Sequence, residues 1–417
     1  MTRSPSIRRA RRITAFTLAA FLGCAGLATN AFWTGAASAD VSQAAPAAYA
    51  LYKANFGLAP GAGFFLDEAH IRSGLDNLKT LGVHWIRSTI PWREFEPDDP
   101  TKLAHGEPAF NWKGVDQFVA TLNQPAYKGS FAIIVTVESP PDWAMAKSRV
   151  GHIGCARQPP FDLASYARAT AALAAHLKGV SHVFEVENSP NIGTRSPAHQ
   201  NTIAVWSPPN PCGYAQLLKL TTAAVHSLHI GALVLVGGIG GTRDIPNQRI
   251  AADEFLADLY ANGARGAFDG VSFHPYSSPY LPCAPSASVC TLDPSHEHKD
   301  PYGMNNGWDR MLNARRIMVA NGDSAKKIWI TEFGGPTDGP KGASKVLTES
   351  QQAALLISGA QRASQYSWVA VWSWFTYQDG NADPQSDPGG NWMGLLQVNG
   401  AHKLAFGAYQ RLTASAH

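Results

Sequence analysis

The sequence predicts a single (β/α)8 TIM barrel, and three observations predict it. Eight short apolar runs alternate with helical segments, the connections from helix to strand are short, and several of those leaving the strands are long and rich in Pro, Ser, Asn and Trp. Alternating strands and helices argue for a parallel sheet, closed or doubly wound. Long loops gathered on one face favour the closed barrel, which builds its site from the loops after its strands. No internal repeat, linker or appended module interrupts the pattern, so residues 40–417 are expected to form one domain.

A first strand is expected near Ala54 to Leu58. Ile71, Leu75, Leu78 and Leu81 then recur at helical spacing, with Gly82 as the C-cap. Val83 to Ile90 reads as the second strand, and Val115, Phe118, Val119 and Leu122 mark the next helix. Phe131 to Val137 is the third strand, ending at Glu138, and Asp162 caps an Ala-rich helix running to Lys178-Gly179. Val183 to Glu187 is the fourth, followed by a helix through Tyr214, Leu217, Leu218, Val225 and Leu228. The fifth, Leu233 to Val236, runs into Gly237-Gly238, and a helix begins at Phe255. Val271 to His274 is the sixth strand, Met311 to Val319 is helical, and the seventh strand runs from Ile328 to Glu332. Ala353 to Ala363 is helical and Val369 to Phe375 is the eighth strand.

Residues 1–39 are set apart from this pattern. Arg3, Arg8, Arg9, Arg11 and Arg12 precede an apolar run from Ile13 to about Ala28, and Ala37-Ser38-Ala39 offers a small-x-small cleavage site before Asp40, the layout of a secretory signal peptide. That leader holds five of the 34 Lys and Arg and none of the 31 Asp and Glu. The remainder therefore carries 29 basic against 31 acidic residues, so nothing points to nucleic acid or an anionic membrane as partner. No later run of about 18 apolar residues occurs, so no membrane span is expected, and the protein is expected to be exported and to act as a monomer. Beyond the leader, Cys155, Cys212, Cys283 and Cys290 remain, an even number that favours two disulfides in an exported chain. Cys155 with Cys212 and Cys283 with Cys290 is the pairing expected among three. The cysteine spacings lack a Cys-x-x-Cys pair, and Asp379, Asp383 and Asp387 lack a full calcium-loop pattern, so neither metal nor cofactor is expected.

The chemistry centres on Ile328-Trp329-Ile330-Thr331-Glu332-Phe333-Gly334-Gly335. A β-branched strand that delivers a carboxylate to its C-terminal tip and then turns is what a barrel needs at its catalytic face, and Glu332 is the candidate nucleophile. Retaining hydrolysis of a glycosidic bond needs a second carboxyl group about 5 to 5.5 Å away to protonate the leaving oxygen. The fourth strand is the natural source, and its end reads Phe184-Glu185-Val186-Glu187-Asn188-Ser189-Pro190-Asn191.

In these two strand ends the sequence resembles the clan A glycoside hydrolases, the retaining barrel enzymes that include families 5 and 39. The resemblance extends through Gly82-Val83 with Trp85 and Arg87, Pro140 to Ala144, Gly237-Gly238, Phe273-His274-Pro275-Tyr276, Trp329 to Gly334, Trp372 with Trp374, and Gly394-Leu395 to Phe406. It implies that Arg87 orients the nucleophile, that Asn188 binds the hydroxyl next to the anomeric centre, and that His274 and Tyr276 hydrogen-bond to Glu332. The family usually ends its fourth strand in Trp-Asn-Glu-Pro-Asn. Here Ser189 stands at the acid/base position and Glu187 at the Trp position. A serine hydroxyl cannot protonate an alkoxide as a tuned carboxylic acid does, and that help is typically worth about 10²- to 10⁴-fold.

Three readings stay open. A carboxylate has moved, with Glu138 at the third strand's rim favoured and Glu187 expected deeper, as a buried partner of Arg87 or another barrel base. Or the substrate's leaving group needs no acid. Or the scaffold binds glycans without cleaving them. Trp143, Trp372 and Trp374 are expected to stack on sugar rings beside Trp92 and Trp392, with Ser189 and Asp379 contacting substrate.

Overall fold

The computed structural model describes residues 55–61, 68–103, 106, 108–145, 155, 157–193, 205–279, 281–282, 307–339, 346–380 and 390–416. The expected leader, Cys283, Cys290, Asp383 and Asp387 lie outside them. Eight parallel strands close into one barrel in sequence order: β1 (Phe56–Ala59), β2 (Trp85–Pro91), β3 (Ala132–Glu138), β4 (Ser181–Asn188), β5 (Leu233–Gly240), β6 (Gly270–His274), β7 (Lys327–Ile330) and β8 (Val369–Phe375). Around them run α1 (Glu68–Thr80), the single turn α2 (Trp92–Phe95), α3 (Lys113–Leu122), α4 (Leu163–His176), α5 (Pro211–His226), α6 (Ala252–Ala261), α7 (Gly307–Ala320), α8 (Glu349–Ser364) and α9 (Leu404–Ser415). β1 pairs with β8 and with β2, which completes the ring.

Local chemistry fixes the helix ends. The Asp162 side chain accepts from the Ser165 amide at the start of α4, and Thr348 with Gln351 forms a capping box on α8. At the end of α1, Gly82 takes φ +71°, which lets Val83 N–H reach back to the Leu78 carbonyl and sends the chain into β2.

Two layers of side chains follow from the period of two along each strand. Outward residues such as Val135, Phe184, Val236 and Ile328 meet Leu173, Leu217, Leu256 and Met311 of the helices in one continuous apolar shell. Inward, Ile134, Val183, Leu235, Trp329 and Val371 plug the lower barrel, with Trp85, Leu233 and Ala370 packed against them. Two residues further along the same strands the interior becomes polar: Arg87 follows Trp85, Thr136 follows Ile134, Glu185 follows Val183 and Thr331 follows Trp329. That change from apolar plug to polar floor positions the site above it.

Cys155, in the loop after β3, is bonded to Cys212 in α5, with Cα atoms 5.8 Å apart. This is the pairing expected between those two cysteines.

Candidate active site

Arg87 is the hub of the polar floor. Its Nε and Nη2 donate to Glu185 at 2.7 and 3.2 Å, Nη1 donates to Glu332 Oε1 at 2.7 Å, and Nη2 also donates to Asn188 Oδ1 at 2.9 Å. Glu185 is fully buried and is further held by the hydroxyls of Thr136 (2.8 Å) and Thr331 (3.3 Å). Burial alone would lower the proton affinity of the guanidinium, but the charges of Glu185 and Glu332 more than offset it, so Arg87 is firmly cationic. Sequence analysis expected a buried counter-charge for Arg87, and the inward-facing Glu185 supplies it rather than Glu187.

Glu332 lies two residues beyond β7. Ladder pairing ends at Ile330 and the chain turns, so Glu332 does not continue the alternation that leaves Thr331 facing inward; it swings over the floor instead. Its Oε2 accepts from the Tyr276 hydroxyl at 2.8 Å, and its side chain remains 11% exposed, so a ligand above the mouth can reach it. Burial, then the neighbouring Glu332 charge, holds the Tyr276 hydroxyl well above the usual phenol range, which keeps it a donor. His274 Nδ1 is 3.4 Å from the same Oε2, while its Nε2 sits 3.1 Å from the Thr331 hydroxyl. Burial and the Arg87 charge bring the His274 pKa down to about 3, so this imidazole is neutral. A Cβ at Gly238 would collide with the His274 ring, which explains a glycine there.

At the ends of β3 and β4 the backbone is strained. Ser139, Glu187 and Ser189 all take left-handed φ values, +58°, +62° and +47°, a conformation that costs non-glycine residues energy and concentrates at working sites. Two tyrosine hydroxyls account for the bend. Tyr166 OH donates to the Val137 carbonyl and accepts from the Glu187 amide, and Tyr214 OH donates to the Val186 carbonyl and accepts from the Gly237 amide. Each hydroxyl wedges between two neighbouring strands where a ladder bond would run. Asn188 is thereby left exposed and Ser189 half-buried, with the Ser189 amide bonded to the Gly238 carbonyl.

Glu187 is a correction to the expectation that it pairs with Arg87. It is 2% exposed, its Oε1 has no hydrogen-bond partner, and burial, then the Glu138 charge, raises its proton affinity well above the carboxylate range. It is therefore a neutral acid in the folded protein. A carboxyl group protonated when folded and ionised when unfolded makes stability fall as pH rises, by about 1.4 kcal/mol per pH unit for one proton. Urea unfolding of Glu187→Gln between about pH 5 and pH 8 is expected to show the variant gaining on the native protein as pH rises; parallel curves would remove this assignment.

Glu138, the last residue of β3, is half-buried at the mouth. Burial and then the charges of Glu332 and Glu185 raise its pKa, against the opposing pull of Arg87 and Arg93. It is thus a carboxyl group that keeps its proton longer than an ordinary glutamate, as a general acid must.

The aromatic expectations divide. Trp143 is half-buried after β3, its indole N–H donating to the Glu96 carbonyl. Trp372 and Trp374 do not fit a stacking role. They belong to the outward set of β8, 3% and 0% exposed, with Trp372 stacked on Tyr409 of α9 and Trp374 donating to the Met393 carbonyl. Val371, small enough for the barrel plug, sets the inward phase, and the inward residue at the rim is Phe375, half-buried, which sequence analysis did not single out. Asp379 is 9% exposed and its carboxylate is taken up by Lys403 Nζ (2.6 and 2.8 Å) and the Gly394 amide (2.8 Å). This buried pair ties the loop after β8 to the start of α9.

No protein-family model matches the sequence, and no curated protein does. Among solved structures the chain is similar to a family 39 glycoside hydrolase from the gut symbiont Bacteroides cellulosilyticus WH2, at 17% identity and TM-score 0.57, covering 87% of this chain and 64% of that one. It is also similar to a monomeric β-xylosidase from Caulobacter crescentus CB15, at 16% identity and TM-score 0.58, over 88% of this chain and 70% of that one. A GH5_18 protein from Bifidobacterium longum subsp. infantis is comparable, at 15% identity and TM-score 0.56, over 87% and 78%. The chain spans about two thirds of the length of the first two, and what it shares with all three is the barrel.

Proposed function

We propose that this chain is an exported, monomeric, retaining glycoside hydrolase acting on O-glycosidic bonds of a polysaccharide or cell-envelope glycan. Glu332 is its nucleophile and Glu138 its acid/base. The observation that carries the reading is the setting of Glu332: a carboxylate at the C-terminal mouth of the barrel, one oxygen held by Arg87 and the other by Tyr276, with its side chain still open to a ligand. The glycoside hydrolases that share the barrel support it, as do the leader-like N-terminus and the Cys155–Cys212 bond for export.

In this reading Glu332 attacks the anomeric carbon as the bond to the leaving oxygen breaks, and Glu138 gives that oxygen its proton. Water then attacks the glycosyl ester, Glu138 takes the water's proton, and Glu332 leaves as a carboxylate. Asn188, whose Oδ1 is fixed by Arg87, presents its amide group to a sugar hydroxyl, and Ser189 and Phe375 line the same rim.

The raised proton affinity of Glu138 sets the sign of the pH dependence. The acid form is lost as pH rises through its pKa, so kcat/KM falls on an alkaline limb that lies above the ordinary glutamate value of about 4.3. Glu138→Gln is expected to remove that limb and to lower kcat by about 10²- to 10⁴-fold on natural glycans, and by much less on aryl glycosides whose leaving group needs no proton. An unchanged profile would show that another group supplies the proton.

A second reading, glycan binding without turnover, is favoured by Ser189 at the position of the family's acid/base. Screening plant and bacterial glycans for released reducing ends, with native protein beside Glu332→Gln and Ser189→Glu, separates the two. Hydrolysis that disappears in Glu332→Gln supports the first; glycan binding without any released ends supports the second.

A further inference from the structure

Just beyond β5 the chain forms a tight hairpin that carries Arg249, with Arg243 immediately before it. Ile245 and Arg249 pair antiparallel with reciprocal backbone bonds of 3.0 and 2.9 Å, and Arg249 also bridges to Ile192 in the loop after β4. Gly193 N–H donates to the Gln248 carbonyl at 2.6 Å, and the Asn191 amide holds the Gly240 and Ile250 carbonyls, so the patch is braced against the end of β4. Residues opposite each other in such a bridge, and those two apart along a strand, share a face. Ile192, Arg249 and Ile245 therefore point the same way, and Arg243, in the irregular stretch two residues before Ile245, lies near enough for its charge to act on Arg249.

The direction is set by Gly240. Gly238 faces His274 and Ile239 lies in the outer shell, so Gly240 faces inward, and a Cβ there would collide with Ile192 Cδ1. The Ile192 side chain thus lies over the barrel mouth, and Arg249, its bridge partner, shares its face. Elsewhere partly buried arginines are matched: Arg310 with Asp253 and Arg168 with Glu96, each at 2.6 Å. Half-buried Arg249 has no such partner among the described residues, nor does exposed Arg243, and the adjacent Asp244 pairs with neither. Burial, then the Arg243 charge, lowers the proton affinity of Arg249, the mark of a cation without a counter-charge.

We infer that Arg243 and Arg249 form a cationic rim on the β4–β5 side of the mouth that takes the carboxylate or phosphate substituent of an anionic saccharide. The inference rests on the proposed glycan-cleaving site and narrows its substrate class. Two neighbouring guanidinium forks suit an anion of two or three oxygens better than neutral hydroxyls, because each N–H then donates to a charged acceptor.

The test uses the native protein with ¹⁵N-labelled arginine, the Nε–Hε signals of the pair being those missing from Arg243→Met and from Arg249→Met. Titration with D-glucuronate is expected to shift both signals saturably while D-glucose moves neither, and removing either arginine is expected to weaken the response of the other about tenfold. Inorganic phosphate acting where glucuronate does not would assign the substituent as phosphate. If neither anion gives a saturable shift, or glucose gives the same one, the rim is not an anion site. Binding is read without turnover, so a silent rim beside intact Glu332-dependent hydrolysis rejects this inference alone, and a responsive rim in a protein that cleaves nothing rejects the hydrolase reading alone.

Discussion

Glu332→Gln is expected to lose turnover by about 10⁴- to 10⁶-fold, as when a covalent nucleophile is deleted elsewhere, while keeping its fold. The amide is nearly isosteric, and its carbonyl can still accept from Arg87 or Tyr276, so the mouth keeps its shape. What it lacks is a carboxylate able to form and release a glycosyl ester. Initial rates on the best glycan, compared with thermal unfolding of both proteins, check the split. A variant that retains more than about a tenth of native activity would move the nucleophile elsewhere.

Arg87→Met is expected to have the largest effect on stability, about 3 to 5 kcal/mol. The loss is not the worth of a salt bridge. It is the penalty of leaving Glu185, fully buried beneath the mouth, as a charge without its partner, with only Thr136 and Thr331 to solvate it. Two further variants separate this from lost packing. Arg87→Lys keeps a charge without the fork that spans Glu185, Glu332 and Asn188, and is expected to fall between. Arg87→Met with Glu185→Leu removes both charges and is expected to recover much of the stability and none of the activity. Urea midpoints for the three proteins decide it; an Arg87→Met protein as stable as the native one would show that the floor is not an electrostatic unit.

Much of this was legible in the chain itself, for identifiable reasons. The eight strands were readable because apolar, β-branched runs recur between helices closed by Gly82 or opened by Asp162, signals that act locally. Arg87 was found through the family resemblance, and its place two residues after Trp85 on β2 is what turns it inward. Glu332 was found through the run that carries it, although the turn that aims it lies beyond the last ladder pair.

What failed was phase. Regular alternation would place Glu187 below Ser189 on one strand face, but the Tyr166 and Tyr214 hydroxyls, from helices over 20 residues distant along the chain, wedge the ladder open and turn both residues left-handed. Trp372 and Trp374 share a face, as their spacing requires, yet which face depends on which β8 residues the narrow barrel admits. With the Trp329 and Trp85 indoles already filling the lower barrel, β8 turns Val371 and Ser373 inward, which puts Phe375 at the rim. Asp379 finds Lys403 24 residues away, a pairing with no local signature. Arg243 and Arg249 come near each other only because a hairpin without apolar periodicity folds the chain back at Ile245.

The central claim is a covalent bond between sugar and Glu332. Incubating the native protein with the 2-deoxy-2-fluoro glycoside of the sugar it releases, followed by peptide mass analysis, tests it directly. The expected result is one glycosyl group on the peptide containing Glu332, with activity lost in step. Steady turnover of the parent glycan with no labelled peptide, or a label on any other carboxylate, would contradict it.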